Sequence, residues 1–382
     1  MKIVVVADSF KGSLTSIEAG NAVADGFARV FADAEITVLP IADGGEGTAD
    51  ALTDGTRGEK IHLTVTGPLN DPVTAEYGIL REPYCAVIEM AQAAGLPLVP
   101  ENKRDPMHTT TFGVGEMILD ALDRGYRRFI VGIGGSATND GGAGMLRALG
   151  YSFLDAEGKA VPGGCAGFFG LSRISADKAD ARLAECTFRV ACDVTNPLLG
   201  DKGCSAVFAP QKGAKAEDIP VMDSCLAEYA AVTKRDVNAD ADPYFPGAGA
   251  AGGLGFAFKY YLNASLERGC YVIMSETGVE EYIKNADLVV TGEGRLDFQS
   301  TMGKVPQSVA QTAKKYGVPV VALGGCIGDG AEGLNSCGVD AYFPVLRKPC
   351  TLEEAMERES ALNNVKLTAE QTARLIRTFM KK

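Results

Sequence analysis

Histidine is scarce in this chain, since only His62 and His108 occur among its 382 residues. His62 lies in the strand-like segment KIHLTVTG and His108 in RDPMHTTT, and neither is close to a glycine-rich segment. A Ser-His-Asp hydrolase is therefore difficult to build from this sequence. Any proton transfer must then depend on a carboxylate or a lysine.

Closely spaced cysteines and long apolar runs are also missing. The ten cysteines are scattered and none forms a CxxC pair, so a zinc site is not expected. The apolar part of MKIVVVADSFKG is too short for a signal peptide, and no later run reaches about 18 apolar residues. We therefore expect a cytoplasmic protein with reduced thiols and no membrane partner.

Positive charge is in deficit, with a formal net charge of -12 and no long Lys/Arg run. Nucleic-acid binding is not expected, because it needs a basic surface that displaces counterions. A small anionic substrate remains compatible, since a few cations in one cleft can hold it. Hydrophobic residues make up 46% of the chain, and its length allows two domains with separate cores.

The start of the chain predicts two strand–helix units. KIVVVAD and AEITVLPIA are apolar runs typical of strands buried on both faces, and a helix-like segment follows each one. The same texture returns near Ala286. Successive strand–helix units favour a parallel sheet, so both ends of the chain are expected to form one α/β domain.

The middle of the chain has a different pattern of apolar and polar residues. Turn signals at GPLNDP and REPY separate alternating strand-like runs, which indicates antiparallel pairing. Further on, AVFAPQKGA predicts a short strand and a turn.

These two sequence patterns predict two unlike α/β domains. Residues 1–66 and 285–382 are expected to form a discontinuous domain with a parallel, Rossmann- or flavodoxin-like sheet. Residues 67–284 are expected to form an inserted domain with a mixed sheet.

Six polar loops follow predicted strands and share one kind of chemistry. Each combines glycine with carboxylate, hydroxyl, amide or cationic side chains. The loops are DSFKGS (8–13), DGGEGT (43–48), GGSATNDGG (134–142), DVTN (193–196), PQKG (210–213) and GEGRLD (292–297). In parallel α/β sheets, ligands bind beyond the carboxyl ends of strands, and glycine lets backbone N–H groups approach an anion.

Two familiar nucleotide motifs do not occur in these loops. A GxGxxG frame starting at Gly132 has Ala137 in its third glycine position. A P-loop ending at Lys304 would need Ser or Thr where Val305 stands. One glycine turn is usually only a turn, and Asp8 or Asp43 at a strand end is often a helix N-cap. Six such loops in one chain are harder to explain as turns alone.

The combined side chains suit phosphoryl transfer. That reaction requires cations and glycine-lined cradles for phosphate, and carboxylates that hold Mg²⁺ or accept a proton. The cations in the loops are Lys11, Lys212, Arg295 and Lys304. The carboxylates are Asp8, Asp43, Glu46, Asp140, Asp193, Glu293 and Asp297.

The chain resembles the bacterial type I glycerate kinases. Seven segments occur in the family's order: DSFKGSLTSIEA, ADGGEGT, GIGGSATNDGGAGMLRALG, ACDVTNPLLG, PQKGA, PGAGAAGGLG and VTGEGRLDFQSTMGKVP. Ala7 departs from the proline that is usual before DS, and VPGGCAGFFGLSRIS follows the family pattern only loosely. The resemblance implies ATP-dependent phosphorylation of D-glycerate with Mg²⁺, giving 2-phosphoglycerate. It also implies two unlike α/β domains with the active site in the cleft between them.

Roles within this reaction are expected from residue chemistry. Lys11 or Arg295 is expected to hold the carboxylate of glycerate, because cations pair with carboxylates and Arg does so through two bonds. Asp193 is the expected base for the attacking hydroxyl, oriented by Asn196, and Asp297 is the alternative. The expected substrate-binding residues are Asp8, Ser9, Gly44, Gly45, Glu46 and Asn196.

The remaining loops are expected to hold the nucleotide and the metal. Lys212 or Lys304 is expected to neutralise charge in the transition state. The expected nucleotide-binding residues are Gly134, Gly135, Ser136, Asn139, Asp140 and Lys304. Asp43 and Asp297 are the expected Mg²⁺ carboxylates.

Three other functions are compatible with parts of this pattern. A kinase of another small hydroxy acid fits the same loops, because nothing in them measures chain length. A nicotinamide dehydrogenase is disfavoured by the absent GxGxxG frame. A non-catalytic metabolite sensor is disfavoured by the carboxylates, which repel an anion unless a metal lies between. Which loop takes ATP, and the oligomeric state, are left open.

Overall fold

The structure is a computed structural model that describes residues 1–45, 47–56, 58–81 and 84–380. Its strands are β1 (Lys2–Ala7), β2 (Glu35–Val38), β3 (Glu59–Thr66), β4 (Pro72–Arg81), β5 (Tyr84–Glu89), β6 (Arg128–Gly132), β7 (Ser152–Leu154), β8 (Arg173–Ser175), β9 (Thr187–Ala191), β10 (Ser265–Glu267), β11 (Leu288–Leu296), β12 (Val320–Ile327) and β13 (Ala341–Pro344). None of the helices within these ranges combines the length and the apolar character that a membrane crossing requires.

The α-helices vary from single turns to six turns. They are α1 (Ser16–Ala28), α2 (Thr48–Thr56), α3 (Ala91–Ala94), α4 (Phe112–Asp123), α5 (Ala143–Ala148), α6 (Cys204–Phe208), α7 (Asp218–Asp236), α8 (Ala250–Tyr261), α9 (Gly269–Thr277), α10 (Val279–Lys284), α11 (Val305–Lys315), α12 (Gly333–Ser336), α13 (Leu352–Met356) and α14 (Arg358–Met380).

The chain divides into two compact units. The terminal unit comprises Met1–Asp43, Asp50–Arg57 and Cys270–Lys382, and the inserted unit comprises Gly44–Ala49 and Gly58–Gly269. Each unit has its own apolar core, as a chain of this length allows.

The terminal unit is built on a five-stranded parallel sheet in the order β13-β12-β11-β1-β2. Counted within the unit, that order is 2-1-3-4-5, the flavodoxin-like arrangement, whose direction reverses between β1 and β11. β1 is buried from Ile3 to Ala7, which explains the apolar run at the start of the chain. The prediction of a parallel, flavodoxin-like sheet formed from both chain ends is confirmed.

Helices α1 and α14 pack closely in this unit, although they lie at opposite ends of the chain. Gly26 lies at their contact, where a Cβ atom would be 2.4 Å from the carbonyl oxygen of Lys366. The glycine is therefore required by the close approach of two helix backbones.

The inserted unit contains a six-stranded mixed sheet in the order β10-β9-β6-β5-β4-β3, and a small β7-β8 ribbon. β3, β4 and β5 pair antiparallel, whereas β5, β6, β9 and β10 run parallel. The predicted mixed sheet is confirmed. The parallel strands bring their carboxyl ends to one edge, where polar loops follow β6 and β9.

The limits of the two units differ from the predicted ranges in three places: Gly44–Ala49 and β3 belong to the inserted unit, and the terminal unit resumes at Cys270 and not at residue 285. β3 pairs with β4 over its whole length, from Glu59 opposite Ile79 to Thr66 opposite Pro72, so it belongs to the inserted sheet. α10 belongs to the terminal unit, where the carboxylate of Glu280 accepts a hydrogen bond from Tyr316 at 2.9 Å. The pattern of apolar and polar residues changes at the GPLNDP turn, but the strand pairing of β3 with β4 continues across that turn.

Candidate active site

The carboxyl ends of β1 and β11 bring two predicted loops together in the terminal unit. The N–H of Asp8 donates to the carbonyl oxygen of Gly292 at 2.8 Å, which joins DSFKGS to GEGRLD. β11 continues to Leu296, so most of GEGRLD is strand and not loop, contrary to expectation. β1 ends at Ala7 opposite Gly292, and β11 therefore extends beyond its neighbour at this edge.

Two buried carboxylates lie at this edge of the sheet. Asp8 is 7% exposed and Glu293 is 6% exposed. Burial, together with the charges of Asp43 and Glu293, raises the pKa of Asp8 to about 8, although the N–H of Ser9 and the ammonium of Lys304 oppose the increase. Burial likewise raises the pKa of Glu293 to about 7, although the Ser300 hydroxyl and Lys304 oppose this.

We call Asp8, Asp43, Glu293 and Lys304 the switch-point cluster, because they act on one another electrostatically where the strand order reverses. Three carboxyl groups accompany one cation, so the cluster is short of positive charge when all three are ionised. Ligands of doubly wound α/β sheets bind at such a position. A metal ion or a metal-bound phosphate would supply the missing charge.

Glu293 was not selected from the sequence as a site residue. The sequence feature that could have indicated it is its position in GEGRLD, between two glycines and two residues before Arg295. Asp297 was selected instead, as a metal ligand, but its carboxylate already has two partners. Its Oδ1 accepts the N–H of Gln299 at 2.9 Å, and its Oδ2 lies 3.1 Å from Nε of Arg295. Asp8 is not the N-cap of α1, since Thr15 has that role, and Asp297 instead caps the 3-10 turn at Phe298–Thr301.

The other cations of the terminal unit differ in exposure. Lys11 and Arg295 are exposed, and Lys304 is half-buried at the N-cap position of α11. A cation there opposes the helix dipole, so its position favours contact with an anion. Ser9 donates its backbone N–H to Oδ1 of Asp8 at 2.7 Å.

Three predicted loops meet in the inserted unit. Gly44 has a φ of 90°, and a Cβ atom there would lie 2.7 Å from Cβ of Ala191, at the end of β9. A Cβ atom at Gly132 would lie 2.7 Å from the carbonyl oxygen of Gly44, and one at Gly134 would lie 3.2 Å from Cα of Gly45. Glycine is therefore needed for these loops to approach one another. Glu46, predicted to bind substrate, lies outside the described residues.

Lys212 is buried beneath the glycine-rich loop. It is 3% exposed, and its Nζ donates to Oγ of Ser136 at 2.8 Å and to the carbonyl oxygen of Thr138 at 2.7 Å. Burial lowers its pKa to about 8. The predicted strand at AVFAPQKGA is wrong: α6 and a 3-10 turn at Pro210–Lys212 occur there and carry the lysine inward.

Four hydrogen-bond donors lie in the glycine-rich loop next to Lys212, on the exposed Gly134 and Gly135 and on Ser136, which is 9% exposed. An ammonium group can only donate, so Oγ of Ser136 accepts from Lys212 and its own proton is left to donate elsewhere. Within the described part of the chain, that hydroxyl has no acceptor, and neither have the N–H groups of Gly134, Gly135 and Ser136. We call these four donors the anion cradle. Successive free N–H groups beside a glycine with positive φ bind anionic oxygens.

Asp140 and Asn139 stabilise the loop from inside, although both were expected to bind nucleotide. Asp140 is fully buried, and its carboxylate accepts hydrogen bonds from Thr111 at 2.8 Å and from the N–H groups of Gly142 and Gly144 at 3.1 Å. Burial raises the pKa of Asp140, and these hydrogen bonds oppose the increase. Asn139 is also fully buried, and its Nδ2 donates to Oγ of Ser205 at 3.0 Å. Neither side chain is exposed to a ligand.

Asp193 follows β9 at the same edge as the anion cradle. It is exposed, and its Oδ1 accepts the N–H of Gly269 at 2.9 Å. Asn196 was expected to orient it, but Nδ2 of Asn196 donates to the carbonyl oxygen of Lys202 at 2.8 Å. Gly269 therefore supplies the contact that the sequence assigned to Asn196.

Glu89 is a second carboxylate that the sequence analysis missed. It is buried at the end of β5, and its Oε1 accepts the N–H of Ala49 at 2.7 Å, just after the DGGEGT loop. The sequence feature that could have indicated it is its position as the charged residue at the end of the apolar run AVIE. Glu89 thus helps to hold that loop beside the anion cradle.

Comparisons with known proteins identify the family of this chain. The model of the glycerate kinase family matches residues 3–377. The chain belongs to the glycerate kinase family. It is 48% identical to the glycerate 2-kinase of Escherichia coli (strain K12), over 93% of each chain, and 45% identical to the glycerate kinase of Halalkalibacterium halodurans, over 94% of each chain.

A solved structure extends the comparison to the fold. A crystal structure from Salmonella typhimurium LT2, assigned as a glycerate kinase 2, covers 100% of both chains at 44% identity with a TM-score of 0.92. Members of the family are phosphotransferases with an alcohol group as acceptor. The recognition and the enzyme class expected from the seven segments are confirmed.

The buried state of Lys212 predicts a pH dependence of stability. Its pKa is about 8 in the folded chain against 10.5 for an ordinary lysine. Between these values the unfolded chain binds one more proton, so the free energy of unfolding should rise with pH by about 1.4 kcal/mol per pH unit at most. Lys212→Met should lack this contribution. Urea unfolding of both proteins from pH 7 to pH 10 measures the difference.

Lys202→Met is the control, because Lys202 is an exposed lysine of the same unit. Its unfolding free energy should follow that of the unaltered chain at every pH. Parallel curves for the unaltered chain and Lys212→Met would show that burial leaves the pKa of Lys212 unchanged.

Proposed function

We propose that this chain transfers the γ-phosphoryl group of ATP to D-glycerate, giving ADP and 2-phosphoglycerate. The observation that carries the proposal is the switch-point cluster, which gathers Asp8, Asp43, Glu293 and Lys304 at the ligand-binding edge of a flavodoxin-like sheet. Membership of the glycerate kinase family supports glycerate as the acceptor. Phosphoryl transfer depends on positioning and charge neutralisation, which these side chains can supply.

The switch-point cluster fits Mg²⁺. Among the described residues, no three acidic, histidine or cysteine side chains form a metal cage by themselves. Mg²⁺ usually takes one or two carboxylates, with water and substrate phosphates as its other ligands. Asp8 and Asp43 would hold it, because burial and then the charge of Asp43 disfavour the ionised form of Asp8, and a cation would offset both effects. When bound, Mg²⁺ neutralises charge on the phosphates.

Asp297 contributes to the metal site less directly than the sequence suggests. Its two carboxylate oxygens are engaged by Gln299 and Arg295, so it orients the turn beside the cluster. Lys304 is placed to pair with a phosphate, as the sequence analysis expects. Lys11 and Arg295 are exposed cations on the joined loops, and we retain them as residues that pair with an anionic substrate group.

The anion cradle binds one of the two substrates. Ser136 and two glycines offer donors from a fixed loop, and Lys212 sets the direction of the hydroxyl proton of Ser136 while adding positive charge behind it. Lys212 therefore acts through Ser136 and is a positioning residue. We retain the ATP phosphates as the occupant of this loop, with the carboxylate of glycerate as the alternative.

Asp193 is retained as the base for the attacking hydroxyl. It follows β9 at the edge where the anion cradle follows β6, and Gly269 holds one of its oxygens. A carboxylate within hydrogen-bond reach of the acceptor hydroxyl can take its proton as the bond to phosphorus forms. Gly44 and Gly45 pack beside this edge and bring backbone groups of the DGGEGT loop near it.

The acceptor can be identified by product analysis. ADP release should be fastest with D-glycerate in a panel that also contains L-glycerate, lactate and glycolate. Phosphorus NMR should place the phosphoryl group on the oxygen at carbon 2. Turnover of another acid in preference to D-glycerate would instead support a kinase of that hydroxy acid. Reduction of NAD⁺ without ADP release would contradict a kinase altogether.

Ser136→Ala tests which substrate the anion cradle binds. Loss of one hydrogen bond to a charged group should raise the KM for ATP about tenfold or more, with the KM for D-glycerate little changed. Ser224→Ala is the control, since Ser224 is exposed on α7 of the same unit. A change confined to the KM for glycerate would move the cradle to the glycerate side. No change in either KM would remove Ser136 from the site.

Asp193→Asn tests the base. Loss of a general base should lower kcat by about 10²- to 10⁴-fold while the fold is retained. Asp201→Asn, at an exposed position of the same unit, should leave kcat unchanged. A fall of less than about tenfold for Asp193→Asn would exclude this residue as the base.

A further inference from the structure

Two apolar side chains project into solvent beside the switch-point cluster. Phe298 is 55% exposed and Met302 is 68% exposed, and both lie in the segment between Arg295 and Lys304. A single exposed apolar residue is ordinary in a folded protein. These two differ because the turn that carries them is attached to the cluster itself.

The turn at Phe298–Thr301 is anchored by polar contacts on its inner side. Ser300 is almost fully buried, and its hydroxyl donates to Oε1 of Glu293. Asp297 caps the start of the turn. The backbone is thereby fixed to a carboxylate of the cluster, while the apolar side chains remain outside.

The loop that follows β12 also contacts this turn. The N–H of Phe298 donates to the carbonyl oxygen of Asp329 at 3.0 Å. Gly330 has a φ of 82°, and a Cβ atom there would lie 2.7 Å from Cβ of Phe298. The close contact holds the backbone at Phe298 and leaves its ring free to cover a ligand.

An aromatic ring and a thioether next to cations match a ligand with one flat π-system and one polyanionic end. A nucleotide has both parts, whereas glycerate has no ring that could stack. Aromatic side chains stack on bases without needing directional hydrogen bonds, and methionine sulfur contacts ring edges favourably. Flavodoxin-like sheets hold nucleotides at the same switch point.

We propose that Phe298, assisted by Met302, stacks on the adenine ring of the nucleotide, whose phosphates extend towards Lys304. This inference rests on the proposed function only for the statement that the phosphoryl donor is a nucleotide. It assigns the base to the terminal unit, at the loop that follows β11. It also explains why the anchored turn leaves two apolar side chains in solvent.

Calorimetric titration with ADP and with inorganic diphosphate tests the assignment, because only ADP has a base. Phe298→Ala should raise the Kd for ADP roughly 5- to 100-fold and leave the Kd for diphosphate unchanged. Met302→Ala should have a smaller effect in the same direction. Lys304→Ala should weaken both ligands. Phe298→Trp keeps an aromatic face and should retain ADP binding.

Phe379→Ala is the matched control, since Phe379 is an exposed phenylalanine on α14 of the same unit. It should bind ADP like the unaltered chain. In steady-state kinetics, Phe298→Ala should raise the KM for ATP and leave that for D-glycerate unchanged.

Three results would overturn the assignment. Equal ADP affinity of Phe298→Ala and the unaltered chain would remove Phe298 from the nucleotide site. Equal weakening of ADP and diphosphate would show that the ring only supports the turn. Dissociation of a dimer by Phe298→Ala in sedimentation, with its ADP affinity intact, would show that a second copy of the chain is the occupant. If the unaltered chain binds no ADP at all, the proposed function fails as well.

Discussion

The parallel pairing of β1 with β11 is the interaction on which the terminal unit depends. Its register places Ala7 opposite Gly292, so Asp8 and Glu293 follow the paired segment at the same edge although 285 positions separate them. The continuous apolar run of β1 requires cover on both faces, which a central parallel strand receives. The same strand pairing therefore buries the apolar side chains of the core and brings the polar side chains of the switch-point cluster together.

Both units contain ionisable side chains in places where burial disfavours their charged form. Asp8 and Glu293 have raised pKa values, and Lys212 has a lowered one, because desolvation disfavours the charged form of each group. None of the three has an opposite charge in direct hydrogen-bonding contact within the described residues. Lys212 instead binds neutral oxygens of the glycine-rich loop. Such groups destabilise a fold slightly, and their clustering is typical of ligand sites.

Much of the fold could be predicted from the sequence because local pattern and burial agree there. The run KIVVVA became a buried parallel strand, and the alternating segments after residue 66 became the antiparallel part of the mixed sheet. The prediction of a strand at AVFAPQKGA was wrong, because a short apolar run fits a helix as well as a strand. β3 was placed in the wrong unit, since its partner follows a turn that looks like a boundary.

The sequence by itself determined the family, the two kinds of sheet, and the loops that carry polar side chains, because these follow from local pattern and segment order. Only the tertiary structure decided which polar side chains face outward. Asp140 and Asn139 are fully buried, Ser136 is 9% exposed beside the exposed Gly134 and Gly135, and Asp297 pairs with Arg295. Polar residues of one loop look alike in the sequence, although the folded chain buries some of them and exposes others. Burial depends on neighbours that are distant in the chain, and no local pattern records them.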